Sequence, residues 1–135
     1  DPEERVRFHN LLADIGDDVV VMLSTHIVSD VADLCARFAV IHQGRVLHAG
    51  EPGAEVAALQ GRIWRRITSK QEAEALRREV PVVSTRLSGG RTVVRAYGAT
   101  APATGFEPAE ADLEDVYFCA IAGHLGAPAA IARAA

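Results

Sequence analysis

The run Val19-Val20-Val21-Met22-Leu23 constrains this chain more than any other segment. All five positions are apolar and three are β-branched, so an extended chain here would present apolar side chains on both faces. Only a sheet covered on both sides can bury such a strand. The run therefore predicts a central, parallel strand in an α/β fold. Upstream, Phe8, Leu11, Leu12 and Ile15 recur at i, i+3, i+4 and i+7, and Pro2, Glu3 and Glu4 suit a helix start. A helix over 2–14 is expected, closed near Gly16, with Asp17 and Asp18 leading into the strand. Downstream, Ser24-Thr25-His26 separates the strand from a second helix whose apolar stripe is Val28, Val31, Ala32 and Cys35.

Turn chemistry divides the rest. Gln43-Gly44 between Phe38–His42 and Arg45–His48 predicts a tight antiparallel hairpin, and Glu51-Pro52 opens a short helix toward Leu59. A strand from Gly61 through Ile67 follows, then a helix that begins at a Ser69/Glu72 capping box and stops before Pro81. Val82–Leu87 and Thr92–Tyr97 flank Ser88-Gly89-Gly90 as a second hairpin. Residues 98–105 are a loop, Asp112 caps a last helix bearing Leu113, Val116, Tyr117 and Ala120, and the alanine-rich end from Gly126 is a frayed tail.

Charge supports two modules. Residues 1–60 hold ten acidic and four basic side chains, residues 61–98 three and nine, and the remainder five and one. The switch predicts a boundary near Gly61, giving modules over 1–60 and 61–124 and a flexible tail over 125–135. The arginines at 62, 65, 66, 77, 78, 86, 91 and 95 read as a solvated face, or as one that meets an acidic surface, which residues 107–115 could supply within the chain. Glu114 and Asp115 read as first-turn helix charges.

No apolar run approaches the roughly 20 residues of a membrane-spanning helix, and the chain starts without Met or a secretory pattern. Cys35 and Cys119 lack paired spacing and are expected to be packed free thiols. His9, His42, His48 and His124 share no metal-ligand spacing, so no metal site is expected. Trp64 beside Arg65 and Arg66 could stack on a nucleobase, but the glycine-aromatic string of an RNA-recognition sheet is missing; a packed Trp is the simpler reading, and no nucleic-acid partner is expected.

Ser24-Thr25-His26 lies where the carboxyl end of the predicted strand would be, the edge at which open parallel sheets bind ligands. Together with Asp1-Pro2, the helix carrying Leu34-Cys35 and Arg37, and the strings FAVIHQG and RVLHAG, it resembles the end of an ABC transporter nucleotide-binding domain. The resemblance covers residues 1–60 and extends more loosely to His124, where VPVVS, GFEP and LEDVY are similar to the appended carboxy-terminal domain of drug- or polymer-exporter subunits. It implies an α/β chain made of the C-terminal portion of a P-loop ATPase core followed by a small α+β domain. In such a subunit His26 would be the switch histidine at the γ-phosphate of ATP. Asp1 would belong to the D-loop that couples two subunits in a head-to-tail dimer. Asp30 stands where the family usually has glutamate, and Ala36 where an aspartate commonly precedes the arginine. The intact protein would use ATP and Mg²⁺ and dock on a transmembrane permease at the cytoplasmic face of the membrane. These 135 residues contain no G-x-x-x-x-G-K-[ST] loop, signature motif or Walker B strand. Alone they are expected to bind ATP weakly or not at all. The other reading of the chain is a non-catalytic dimerisation or docking module built on 61–124.

Overall fold

The computed structural model describes residues 1–15 and 19–126 as a mixed α/β chain with five helices and two antiparallel sheets. The expected helix closure at Gly16, the Asp17-Asp18 lead-in and tail residues 127–135 lie outside the described residues. Helix α1 (Pro2–Asp14) starts at Asp1, whose Oδ1 accepts the Glu3 amide at 3.0 Å. Helix α2 (Val28–Leu34) is short and stops at Cys35. Strands β1 (Phe38–His42) and β2 (Arg45–Gly50) form the predicted hairpin, and α3 (Pro52–Leu59) follows it. At the turn, Gln43 and Gly44 both have positive φ, 51° and 74°, the conformation whose twist matches the paired strands.

The second sheet is built from β3 (Ile63–Thr68), β4 (Val82–Ser88), β5 (Arg91–Tyr97) and the two-residue β6 (Glu107–Pro108), in the order β4-β5-β3-β6. Helix α4 (Lys70–Glu79) joins β3 to β4, and a Gly89-Gly90 turn joins β4 to β5. Helix α5 (Leu113–Ile121) comes last. Alternation along β5 sends Thr92, Val94 and Ala96 to one face and Val93, Arg95 and Tyr97 to the other. On the first face Val94 and Ala96 pack with Ala73 and Leu76 of α4, and with Phe106. The opposite face receives α5.

Helix α5 also connects the two modules. Val116 and Cys119 are fully buried in a cluster with Leu59, Ile63, Ala111 and Leu113, and Val28, Val31, Phe38 and Val56 of the first module pack against it. Leu125, expected in the tail, packs against the same cluster, and His124 stacks on Tyr97 with ring centroids 4.7 Å apart.

The largest departure from expectation is the run Val19–Leu23. It forms no strand, and Val20 and Met22 are 94% and 92% exposed. All strand pairs among the described residues are antiparallel, and none involves this run. A parallel strand is stable only with hydrogen-bonded neighbours on its edges and cover on its faces. Neither is supplied by the described residues, so the run stays unpaired and open. Phe8 and Leu11 of α1, and Ile15 at its C-cap, are exposed for the same reason, since α1 packs chiefly on α2 and buries no residue fully.

Two smaller differences are local. The Ser69 hydroxyl accepts the Glu72 amide at 3.2 Å, but the Glu72 carboxylate turns to the Thr68 hydroxyl instead of closing the box. The complete capping box is at α5, where Asp112 Oδ1 accepts the Asp115 amide and Asp115 Oδ2 accepts the Asp112 amide, each at 2.9 Å.

Because one cluster joins both modules through α5, Val116→Ala is expected to destabilise the chain by about 2–3 kcal/mol. Amide hydrogen exchange should accelerate in both the β1–β2 hairpin and β5. Acceleration confined to one module would show that the cluster does not couple them.

Candidate functional site

Two constellations stand out, one anticipated by sequence and one not. The first is Ser24-Thr25-His26. The Thr25 hydroxyl accepts the Ile27 amide at 3.0 Å, a local turn one residue before α2. Ser24 and His26 are exposed, and the imidazole has no hydrogen bond or ion pair among the described residues. Asp1 is exposed at the start of α1, engaged in its own helix cap. No hydrogen bond or ion pair joins Asp1 to His26.

What flanks the segment is better defined. Asp30, in the first turn of α2, pairs with Arg5 and lies 3.5 Å from Nε2 of His9, both on α1. Arg5 and His9 are four residues apart and share one helix face, so a single carboxylate ties α1 to α2 on either side of the histidine segment. Cys35, at the end of α2, has its thiol pushed up by burial and then by Asp30, which keeps it protonated and unreactive.

The second constellation lies between the main sheet and α5. The Asp115 carboxylate is fully buried. Arg95 Nε donates to its Oδ1 at 2.8 Å and Arg95 Nη2 to its Oδ2 at 2.6 Å, a bidentate pair, and Nη2 also donates to the Glu110 carbonyl at 2.8 Å. Arg86, one strand over on β4, reaches Asp112 at 3.2 Å, Asp115 at 3.4 Å and Glu114 at 3.7 Å. The hydrogen bonds of Asp115, working against desolvation, hold the Arg95 guanidinium charged. Burial alone would push the Asp112 carboxyl up, but the Asp115 amide and Arg86 outweigh it and hold it below the usual carboxylate range. Burial, then the Asp115 charge, pushes the Cys119 thiol up to about 12.

These contacts decide between the two readings of the basic module. Arg95 is not a solvated side chain, and Arg65, Arg86 and Arg95 all meet acidic groups of 107–115, Arg65 through Glu107 at 2.8 Å. Asp115 is correspondingly more than a first-turn charge. Trp64 packs beside the α4 cluster, and its Nε1 donates to the Gly98 carbonyl at 2.9 Å. His48, on β2, lies 2.5 Å from Oε2 of Glu55 on α3, a clasp within the first module. Among the described residues no three His, Cys, Asp or Glu side chains converge as a metal-ligand group, and no helix is long and apolar enough to cross a membrane. Comparison with known protein families, curated proteins and solved structures finds no match to this chain.

The Arg95–Asp115 pair generates two expectations. Asp115→Asn leaves Arg95 buried against a neutral partner and should cost roughly 3–5 kcal/mol by denaturant melts. Asp112 is held down in the folded chain, so its contribution is present above pH of about 4 and is lost as pH falls through its folded value. Stability should therefore drop on acidification below about pH 4, and Asp112→Asn should flatten that limb; an unchanged limb would remove Asp112 from the acid response.

Proposed function

We propose that this chain is the C-terminal part of the ATP-binding subunit of an ABC transporter, an exporter of drug or polymer type. Residues 1–60 would complete a P-loop ATPase core, and the α+β module would be its appended domain. The observation that carries this reading is the open apolar segment ahead of the histidine. Nine of the twelve large hydrophobic side chains exposed among the described residues lie in residues 1–27. Three of the nine lie in α1, Ile15 and Ile27 flank the run, and four belong to Val19–Met22. A strand apolar on both faces is the kind of segment that completes a larger parallel sheet. Such a sheet would put Ser24-Thr25-His26 at a strand end facing the nucleotide, with His26 as its donor.

The residues of this chain do not by themselves fit ATP and Mg²⁺. There is no glycine-rich phosphate loop in these residues, and the one donor the resemblance assigns, His26, makes no hydrogen bond or ion pair among the described residues. The chain's contribution would be one imidazole at the γ-phosphate and one carboxylate, Asp1, at the subunit boundary. Phosphoryl transfer depends on donors held in place where charge develops. The Asp30 tie from α2 to α1 would serve that end by fixing the start of the helix that follows His26. The intact subunit would act at the cytoplasmic face of the membrane, as a head-to-tail pair docked on a permease.

A second reading, a docking or dimerisation module over 61–124, is favoured by the edge position of β4, whose Leu87 is exposed. Reversible self-association in sedimentation would support it, and a strictly monomeric chain would count against it.

The test of the leading reading begins with the coding DNA upstream of Asp1, which should encode a phosphate loop, a signature motif and an acidic strand ending in Asp-Glu. In that full-length protein His26→Ala should lower ATP turnover on the order of a hundredfold while nucleotide affinity stays unchanged. Unaltered turnover would sink the assignment.

A further inference from the structure

The main sheet ends differently at its two edges. At one, β6 is two residues long and includes Pro108, which has no amide to offer a further strand. At the other, β4 is seven residues long and no strand covers its outer edge among the described residues. Ser88 and Arg91 close the Gly89-Gly90 turn, so the hydrogen-bonded pairs with β5 alternate back along β4 through Arg86–Val93 and Ser84–Arg95. Thr85 and Leu87 lie between these pairs. Their N–H and C=O groups point away from the sheet, and no loop takes them among the described residues. Charged side chains often guard such an edge, but Arg86, the one charge on β4, is drawn onto Asp112 and Asp115.

A cleft of about 270 Å³ opens here, lined by Ser84 and Thr85 of β4, Arg77 of α4, and Glu114 and Phe118 of α5. Adjacent strand residues face opposite sides of a sheet, and the cleft is charged differently on the two. On the α4 side, Arg77 Nη2 donates to the Thr85 hydroxyl at 3.1 Å, and the nearby carboxylate of Glu74 lies 3.7 Å from Nε. On the α5 side, the carboxylates of Asp112, Glu114 and Asp115 face two guanidiniums, Arg86 and Arg95, which leaves one negative charge. Glu114 is the member that lines the cleft, and Arg86 Nε stands 3.7 Å from it, beyond hydrogen-bond reach. Ser84 is 8% exposed, and its Oγ has no hydrogen-bond partner among the described residues; the Nε of Arg86 is likewise buried without one. Buried hydroxyls normally have a partner. A cationic donor entering the cleft beside Ser84 Oγ and the Glu114 carboxylate would supply what both lack.

We propose that the β4 edge binds an extended peptide of another protein by antiparallel strand addition, with an acidic residue opposite Thr85 and a basic residue directly after it. The residue opposite Thr85 shares its face, so its carboxylate meets Arg77. The next residue stands opposite Ser84 and brings its cation to Glu114 and the Ser84 hydroxyl. Strand direction sets the order, acidic then basic. A second copy of β4 paired about Thr85 would instead set Arg77 against Arg77 and Glu114 against Glu114, like charges on each face, so the edge selects a different chain. The proposal rests on the reading of residues 61–124 as a docking module and specifies what docks.

The test is a ¹⁵N–¹H titration of the full chain with the blocked peptide acetyl-Thr-Val-Thr-Glu-Lys-Thr-Val-Thr-amide, whose glutamate would pair with Thr85 and whose first valine would pair with Leu87. The control peptide exchanges the glutamate and the lysine. Saturable shifts centred on the amides of Thr85 and Leu87 are expected, with the first peptide bound about tenfold more tightly than the control. Thr85→Pro removes an outward amide without touching the β5 ladder and should abolish the shifts. Glu114→Gln should weaken binding of the first peptide by about threefold and narrow the difference between the two. No saturable response, equal binding of the two peptides, or undiminished binding by Thr85→Pro would each overturn the proposal. Sedimentation of the same samples separates the two levels. No peptide response together with reversible self-association overturns strand addition and leaves the docking-module reading standing, whereas a strictly monomeric chain without peptide response removes both.

Discussion

The buried ion pair between Arg95 and Asp115 is the contact on which the rest of the packing depends. Burying two charges costs several kcal/mol each, and the cost is offset only where geometry is good and the remaining polar atoms are satisfied. Here both conditions hold, since two guanidinium nitrogens meet the two carboxylate oxygens, the Asp112 amide takes a further lone pair and the Glu110 carbonyl takes a further proton. A bidentate pair tolerates little sliding. It therefore sets where α5 lies along the sheet. Once α5 is fixed, its apolar side chains Val116 and Cys119 fall against Leu59 and Ile63, and the first module closes over them through Val28, Val31 and Phe38.

The same interaction explains why the charge switch in the sequence does not produce a broad cationic surface. The acidic stretch 107–115 folds back over the sheet, so that β6 pairs Glu107 beside Arg65 and the start of α5 delivers Asp112, Glu114 and Asp115 to Arg86 and Arg95. The solvent-exposed member of this set, Arg65–Glu107, adds little to stability. Its role is mainly to satisfy charge, whereas the buried member determines position. Lys70 and Arg91 stand apart at the opposite end of β3 and β5 from Ile63 and Tyr97, beyond the reach of that acidic stretch.

Features decided within a few residues were legible in the sequence. Gly89-Gly90 is a turn because two glycines accept consecutive positive φ, Gln43-Gly44 is one because Gly44 accepts it and draws Gln43 along, and Asp112 caps α5 because its side chain can reach the amide three residues on. Features decided by partners were not. Val19–Leu23 has the composition of a strand, but strand formation depends on neighbours that the described residues do not provide. For Arg95 the sequence leaves a solvated face and a pairing with the acidic stretch 107–115 both open, and its burial against Asp115 is decided by the packing of α5 on the sheet. Strand β6 is two residues long and includes Pro108, too brief for any periodicity and compatible with pairing only at an edge.

The two ends of the chain therefore differ in what stabilises them. Residues 61–124 pair every strand they contain and sandwich the sheet between α4 and α5, so most of their large apolar side chains are removed from water, Ile67 and Leu87 excepted. Residues 1–27 are held mainly by one carboxylate, Asp30, and leave most of their large hydrophobic side chains in contact with solvent. Exposed apolar area at this density is favourable to bury and costly to keep. A helix and a strand-competent run that share such a surface, joined through a histidine segment to a helix that is itself anchored in the core by Val28 and Val31, have the form of a connector. One end is fixed in the α5 cluster. The other leaves the apolar side chains of Val19–Met22 in contact with solvent.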